Sequence, residues 1–167
     1  MAENLYPYIC LSVSIFVYRN LEGNILLLIT TIYIRALKQV KFNWTQNKLC
    51  FLTINRSPRG NVTNFLNRLD MISPKIYNKN YCIIICGDVN IHCVIDNNSK
   101  SQMDAVLHSY ILPCIVKFPT KFDPKSLTAI ENVFIDTSTI AKYDIYRLIN
   151  GHPDQDAQLL IINKLQE

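Results

Sequence analysis

The sequence predicts an α/β sandwich, and three observations lead to it. Strand-like runs rich in β-branched and aromatic residues recur along the whole chain. Two segments with helical spacing of apolar residues interrupt them. One run, Tyr81-Cys82-Ile83-Ile84-Ile85-Cys86, is apolar without alternation, the pattern of a strand covered on both faces. No repeat or low-complexity linker divides the 167 residues, a length that suits one domain with its own core.

Taken in order, residues 5–18 and 25–34 are apolar runs separated by Arg19-Asn20-Leu21-Glu22-Gly23-Asn24. Each is shorter than the roughly 20 residues that span a bilayer, and their residue types favour a hairpin of two buried strands over a membrane hairpin. Residues 34–42 and 49–54 are two further strands around the turn Asn43-Trp44-Thr45-Gln46-Asn47-Lys48. A loop follows at Arg56-Ser57-Pro58-Arg59-Gly60, where Pro and Gly break regular structure. Residues 61–72 carry Phe65, Leu66, Leu69 and Ile72 on one helical face, with Asn61 or Thr63 as cap and Pro74 just beyond. A second helix is expected over 101–110, with Met103, Val106, Leu107 and Tyr110 on its apolar side. Residues 111–118, 129–135, 144–149 and 159–162 are expected as strands.

Composition narrows the class further. Apolar residues make up 49% and charged residues 18%, which excludes a disordered chain. The net charge of +4, from 17 Lys and Arg against 13 Asp and Glu, tolerates a polyanionic partner without requiring one. Cys10, Cys50, Cys82, Cys86, Cys93 and Cys114 form no CxxC pair and sit largely in apolar runs, as reduced core cysteines of an intracellular protein do. The N-terminus has Glu3 in place of a basic start and lacks a clear cleavage site, so no secretory signal is expected. The expected compartment is therefore the nucleus or cytoplasm.

Gly87-Asp88-Val89-Asn90 directly follows the buried run. Two residues apart on an extended backbone, a carboxylate and an amide point the same way. Asp88 could then take a proton from water while Asn90 orients that water or a phosphate oxygen. The same tetrapeptide also serves as an ordinary strand-to-turn sequence, so its meaning depends on context.

The context is an ordered series. Asn55-Arg56-Ser57-Pro58 precedes Gly87-Asp88-Val89-Asn90, and Phe118-Pro119-Thr120-Lys121, Ile130-Glu131-Asn132-Val133-Phe134 and Asp154-Gln155-Asp156-Ala157-Gln158 follow. Over residues 36–164 the series resembles the endonuclease/exonuclease/phosphatase superfamily, in particular the apurinic-type endonuclease domains of non-LTR retrotransposons. Their pattern runs Tyr-Arg-Ser-Pro, Gly-Asp-Phe/Val-Asn, Pro-Thr-Arg, Ile-Asp-Asn-x-Phe and Ser-Asp-His-Asp-x-Gln.

The resemblance implies a DNase I-like α/β fold, two packed sheets flanked by helices, incomplete on its N-terminal side. It divides the chain into a divergent apolar segment, 1–35, and a partial endonuclease-like domain, 36–167. It implies hydrolysis of DNA phosphodiester bonds with Mg2+, no small-molecule cofactor and DNA as partner. Carried over by position, Asp88, Asn90 and Asp154 are catalytic, with Asp154 also near the metal. Arg56 and Thr120 lie along the bound strand.

The departures bear on activity. Gln155 stands where the family has its catalytic His, and cannot carry a titratable proton near neutral pH. Glu131 replaces the Asp that orients that His, Asn55 replaces the Tyr that faces the phosphate, and Pro153 replaces a Ser. His152 lies at an odd offset from Gln155, which on an extended segment sends it to the other face. His92 and His108 are expected as ordinary surface residues. Upstream, Glu3 and Glu22 are the only acids before residue 36, and neither has the context of the family's metal-binding Glu. The expectation is an endonuclease-like domain with impaired catalysis. The alternatives are an active Mg-dependent nuclease, or a binding module that contacts DNA through Arg56, Arg59, Lys117 and Lys121.

Overall fold

The computed structural model describes residues 6–10, 13–19, 25–31, 38–44, 47–77, 81–123, 126–149 and 156–165, with side chains for 49–77, 81–121, 127–149 and 156–163. Asp154, Gln155, His152, Pro153, Glu3, Glu22 and Cys10 lie outside the described residues or side chains.

The first apolar run carries β1 (Tyr6–Cys10) and β2 (Val13–Arg19), and the second carries β3 (Ile25–Thr31). Next come β4 (Lys38–Trp44) and β5 (Asn47–Thr53), helix α1 (Val62–Ile76), and β6 (Tyr81–Asp88). Helix α2 (Asn98–His108) precedes a short hairpin, β7 (Lys121–Asp123) and β8 (Ser126–Thr128). The chain continues through β9 (Glu131–Ile135), β10 (Ile140–Leu148) and β11 (Ala157–Leu165).

These strands form one sheet ordered β1-β2-β3-β11-β10 and a second ordered β4-β5-β6-β9. Pairing is antiparallel apart from β5 and β6, which α1 connects in parallel. The apolar run at 81–86 explains that arrangement. Cys82, Ile84 and Cys86 face the first sheet with Leu49, Phe51, Val133 and Ile135, meeting Ile140, Leu160 and Ile162 across the gap. Ile83 and Ile85 face the other way, with Cys50, Leu52 and Phe134, against Leu66, Leu69 and Ile76 of α1 and Met103 and Leu107 of α2. Both faces of the strand are covered, so no position in it can be polar until the strand ends. Each large apolar side chain removed from water here contributes about 1.5–3 kcal/mol.

The α/β sandwich expected from the sequence is therefore the observed architecture. Five details differ. The first apolar run, expected as one strand of a two-strand hairpin, carries two paired strands, β1 and β2. Residues 111–118 form no strand, only an isolated bridge between Cys114 and Phe134. Pro113 lacks the N–H that a ladder needs, and Ile111 has a φ of 57°, outside the strand region. Helix α1 passes through Pro74 to Ile76 instead of stopping before it. Ile76 is buried in the helix–sheet core, which offsets the backbone hydrogen bond lost at Pro74. Strand β10 starts four residues earlier than expected, and the β7–β8 hairpin was not expected at all. Asn61 does cap α1, accepting from the Asn64 amide at 2.8 Å.

No described helix is long and apolar enough to cross a membrane. The described cysteines form no disulfide, and Cys50, Cys82, Cys86 and Cys93 are buried, as expected of core residues.

Candidate functional site

The stripe of β6 that faces the opposite sheet runs Ile84, Cys86, then Asp88. Pairing with β9 sets Ile84 against Ile135, Cys86 against Val133 and Asp88 against Glu131. Directly opposed residues of an antiparallel pair share a face, so the two acids cap the edge of the inter-sheet core side by side. Asp88 is 4% exposed and Glu131 2%. Burial pushes the Asp88 carboxyl up, while hydrogen bonds from Asn90 and the charges of Lys121 and Arg56 draw it back. Burial also pushes Glu131 up; the Thr120 hydrogen bond opposes the shift and the Asp88 charge adds to it.

Gly87 makes the approach of β5 to β6 possible. Its φ is 141°, and a Cβ there would lie 2.0 Å from the Ile54 carbonyl oxygen. Strand pairing continues past β5, with Ile54 N–H donating to Cys86 O at 2.9 Å and Arg56 N–H to Asp88 O at 2.8 Å.

Beyond Asp88 the extended backbone ends. Asn90 has a φ of 50°, so it meets Asp88 from a turn and not, as expected, along an extended strand. Instead the Asn90 amide N–H donates to Asp88 Oδ1 at 3.2 Å, and Asn90 Nδ2 donates to Arg56 O at 2.6 Å. Arg56 closes the knot. Its Nε donates to Val89 O at 2.8 Å, its Nη1 to Gly60 O at 2.6 Å and Ser57 O at 3.3 Å, and its Nη2 to Asn90 O at 2.5 Å. The guanidinium thus serves four backbone carbonyls and is 7% exposed as a residue. Burial lowers its pKa and Asp88 raises it.

A second knot holds Glu131. Thr120 Oγ1 donates to Glu131 Oε2 and accepts from the Ile130 and Glu131 amides at 3.2 and 3.3 Å. Gln158 Nε2, reaching in from β11, donates to Glu131 O at 3.0 Å. Glu131 Oε1 and Gln158 Oε1 remain buried without a hydrogen-bond partner. Asp156 pairs with Arg147, and its amide donates to Thr120 O at 3.2 Å.

The structure therefore brings Asp88, Asn90, Arg56, Thr120 and Glu131 to one edge of the sandwich. Asn55 lies next to Arg56, half-buried. Sequence reasoning did not single out Gln158, and it named Lys121 only as a DNA contact and not as a neighbour of the acids. Gln158 was detectable as a polar residue on the inward stripe it shares with Leu160 and Ile162. The place of Lys121 beside both acids left no such signal, because it depends on the hairpin.

Magnesium prefers six oxygen ligands at near-octahedral positions. Among the described residues no group of three acids, histidines or cysteines is placed to hold a metal ion. Two adjacent carboxylates and one amide oxygen do not make such a site, so the described residues do not fit the ion.

No family model matches the sequence, and no curated protein resembles it significantly. Solved structures do. The chain superposes on the endonuclease domain of TRAS1, a telomere-specific non-LTR retrotransposon, with a TM-score of 0.63 at 14% identity, covering 91% of this chain and 80% of that one. The fold is that of the endonuclease/exonuclease/phosphatase superfamily. A member of that superfamily from Leptotrichia buccalis C-1013-b matches with a TM-score of 0.50 at 11% identity, over 84% of this chain and 53% of that one.

Proposed function

We propose that the chain is a retrotransposon-type endonuclease domain whose hydrolytic chemistry is impaired and whose remaining role is contact with DNA. One observation carries this reading: the polar groups at the sheet edge are engaged with each other. Arg56 directs its donors to backbone carbonyls, Asn90 donates to Arg56, and Thr120 donates to Glu131. Groups held this way stabilise a loop and present few free donors to a phosphate. The replacement of the family's His by Gln155 points the same way. The expected DNA contacts come from exposed cations, Arg59 and Lys117, and from Lys121, which is partly exposed.

A second reading rests on the acid pair. Two neighbouring carboxyls with raised pKa can share a proton, as acid–base pairs do, and an active Mg-dependent nuclease would use Asp88 and Glu131 in that way. A plasmid-nicking assay with magnesium separates the two. The proposal expects no nicking above the buffer rate, together with DNA binding that weakens as salt rises. Nicking that disappears in Asp88→Ala would overturn it.

A further inference from the structure

On the helix side of the β6–β9 sheet, Cys93 and Cys114 meet at a cleft of about 180 Å³ whose polar lining is Lys100, Asp104, His108 and Lys117. They are 21 residues apart in sequence, and the fold alone brings them together. The Cys93 amide is held by Ala129 O at 3.0 Å, and Cys114 is held by its bridge to Phe134. Both cysteines are reduced and line the same cleft, close enough for each thiol to shift the ionisation of the other. Cys93 is 6% exposed, whereas Cys114 is partly open to solvent.

We propose that Cys93 and Cys114 form a redox-active dithiol, with Cys114 as the attacking thiol and small anionic disulfides of the glutathione type as the oxidant. The Cys114 thiolate attacks one sulfur of the small disulfide; that S–S bond breaks and a small thiolate leaves, taking up a proton from water. Cys93 then attacks the Cys114 sulfur of the mixed disulfide. The second small thiol departs with the Cys93 proton, and an intramolecular disulfide remains. Two protein thiols are oxidised and one small disulfide is reduced to two thiols, so atoms and electrons balance.

The division of labour follows from the surroundings. The neighbouring Cys93 thiol draws the Cys114 pKa down, and the Lys117 charge adds to this, against burial and Asp104. Cys93 is pushed up by Cys114 and by burial, which keeps its proton on until Cys114 has reacted. Lys117 is exposed at the cleft and suits the carboxylates of such a disulfide. Cys82, by contrast, is buried, pushed up to about 12 and outside the lining of the cleft, so a small disulfide does not reach it. The disulfide would also reach the sheet edge. Cys114 Sγ lies 3.6 Å from Asn132 Oδ1, and Asn132 Nδ2 donates to Ile91 O and Ile130 O beside Glu131.

The test is thiol mapping on the full chain after incubation with glutathione disulfide, followed by alkylation, digestion and mass analysis. The expected product is a Cys93–Cys114 cross-linked peptide that dithiothreitol resolves. Cys93→Ser is expected to stop at a glutathione adduct on Cys114, and Cys114→Ser to give neither adduct nor cross-link. A persistent Cys114 adduct in the unsubstituted chain, or both cysteines still fully alkylated, would overturn the proposal. If the serine variants do not fold, alkylation rates on the unsubstituted chain decide. Cys114 is expected to react at least about tenfold faster than Cys82, and equal rates would sink the idea.

Discussion

The carboxyl of Glu131 shows how a single buried residue sets a pH dependence. Its folded pKa lies above the ordinary value of 4.5, chiefly through burial, so the folded chain holds the proton more tightly than the unfolded chain does. The stability this contributes is complete below 4.5 and is lost as pH rises through the folded value. Asp88 acts with the same sign from its ordinary value of 3.8. Glu131→Gln keeps the shape and removes the buried charge. It is expected to raise stability by about 1–3 kcal/mol at pH 7.5. A thermal melt series across pH should show a flatter slope in the variant, the remainder belonging to Asp88; an unchanged slope would refute the assignment. Arg56 gives a second case. Lys offers three donors from a single nitrogen and cannot serve four carbonyls spread around a loop, so Arg56→Lys is expected to cost about 2–4 kcal/mol in chemical denaturation. At this scale the sequence was partly legible. It marked Arg56, Asp88, Asn90, Thr120 and Glu131 as a set. It did not reveal that they bond mainly to each other, because that depends on the turn at Asn90.

Among the elements, the β5–α1–β6 unit was the most legible. An uninterrupted apolar run leaves few alternatives to a strand buried on both faces, and the spacing of Leu66, Leu69 and Ile72 marks a helix beside it. The β7–β8 hairpin was the least legible, since three-residue strands leave almost no periodicity to read. The unit also makes a sharp demand at Gly87. Any Cβ there collides with the Ile54 carbonyl, on a backbone that L-residues rarely adopt. Gly87→Ala is expected to destabilise the chain by about 3 kcal/mol or more, seen as a lower denaturation midpoint, because strand separation is the only relief. A variant as stable as the parent would mean that β5 and β6 do not approach as described.

For the molecule as a whole, the two sheets are held by one shared core, so its loss should be felt everywhere. Leu160 is fully buried between the sheets, and Leu160→Ala is expected to cost about 2–5 kcal/mol, or about 2–4 °C of melting temperature per kcal/mol. Ile149 is 83% exposed, and Ile149→Ser should change the midpoint by less than about 0.5 kcal/mol. Equal effects from the two would contradict a common core. The pairing of the sheets could be anticipated only through the family resemblance, because strand order leaves no local trace in sequence. One entry in that order reaches furthest. β3 lies beside β11, with Ile29 opposite Gln158, so strands far apart in the sequence are neighbours. A ribosome delivers the first long before the last. Until β11 has emerged, the inter-sheet surface of β5, β6 and β9 lacks the cover of Leu160 and Ile162, and the growing chain exposes that part of its apolar face. Yield in cells should therefore depend on chaperones that shield nascent chains more than on the stability of the finished fold.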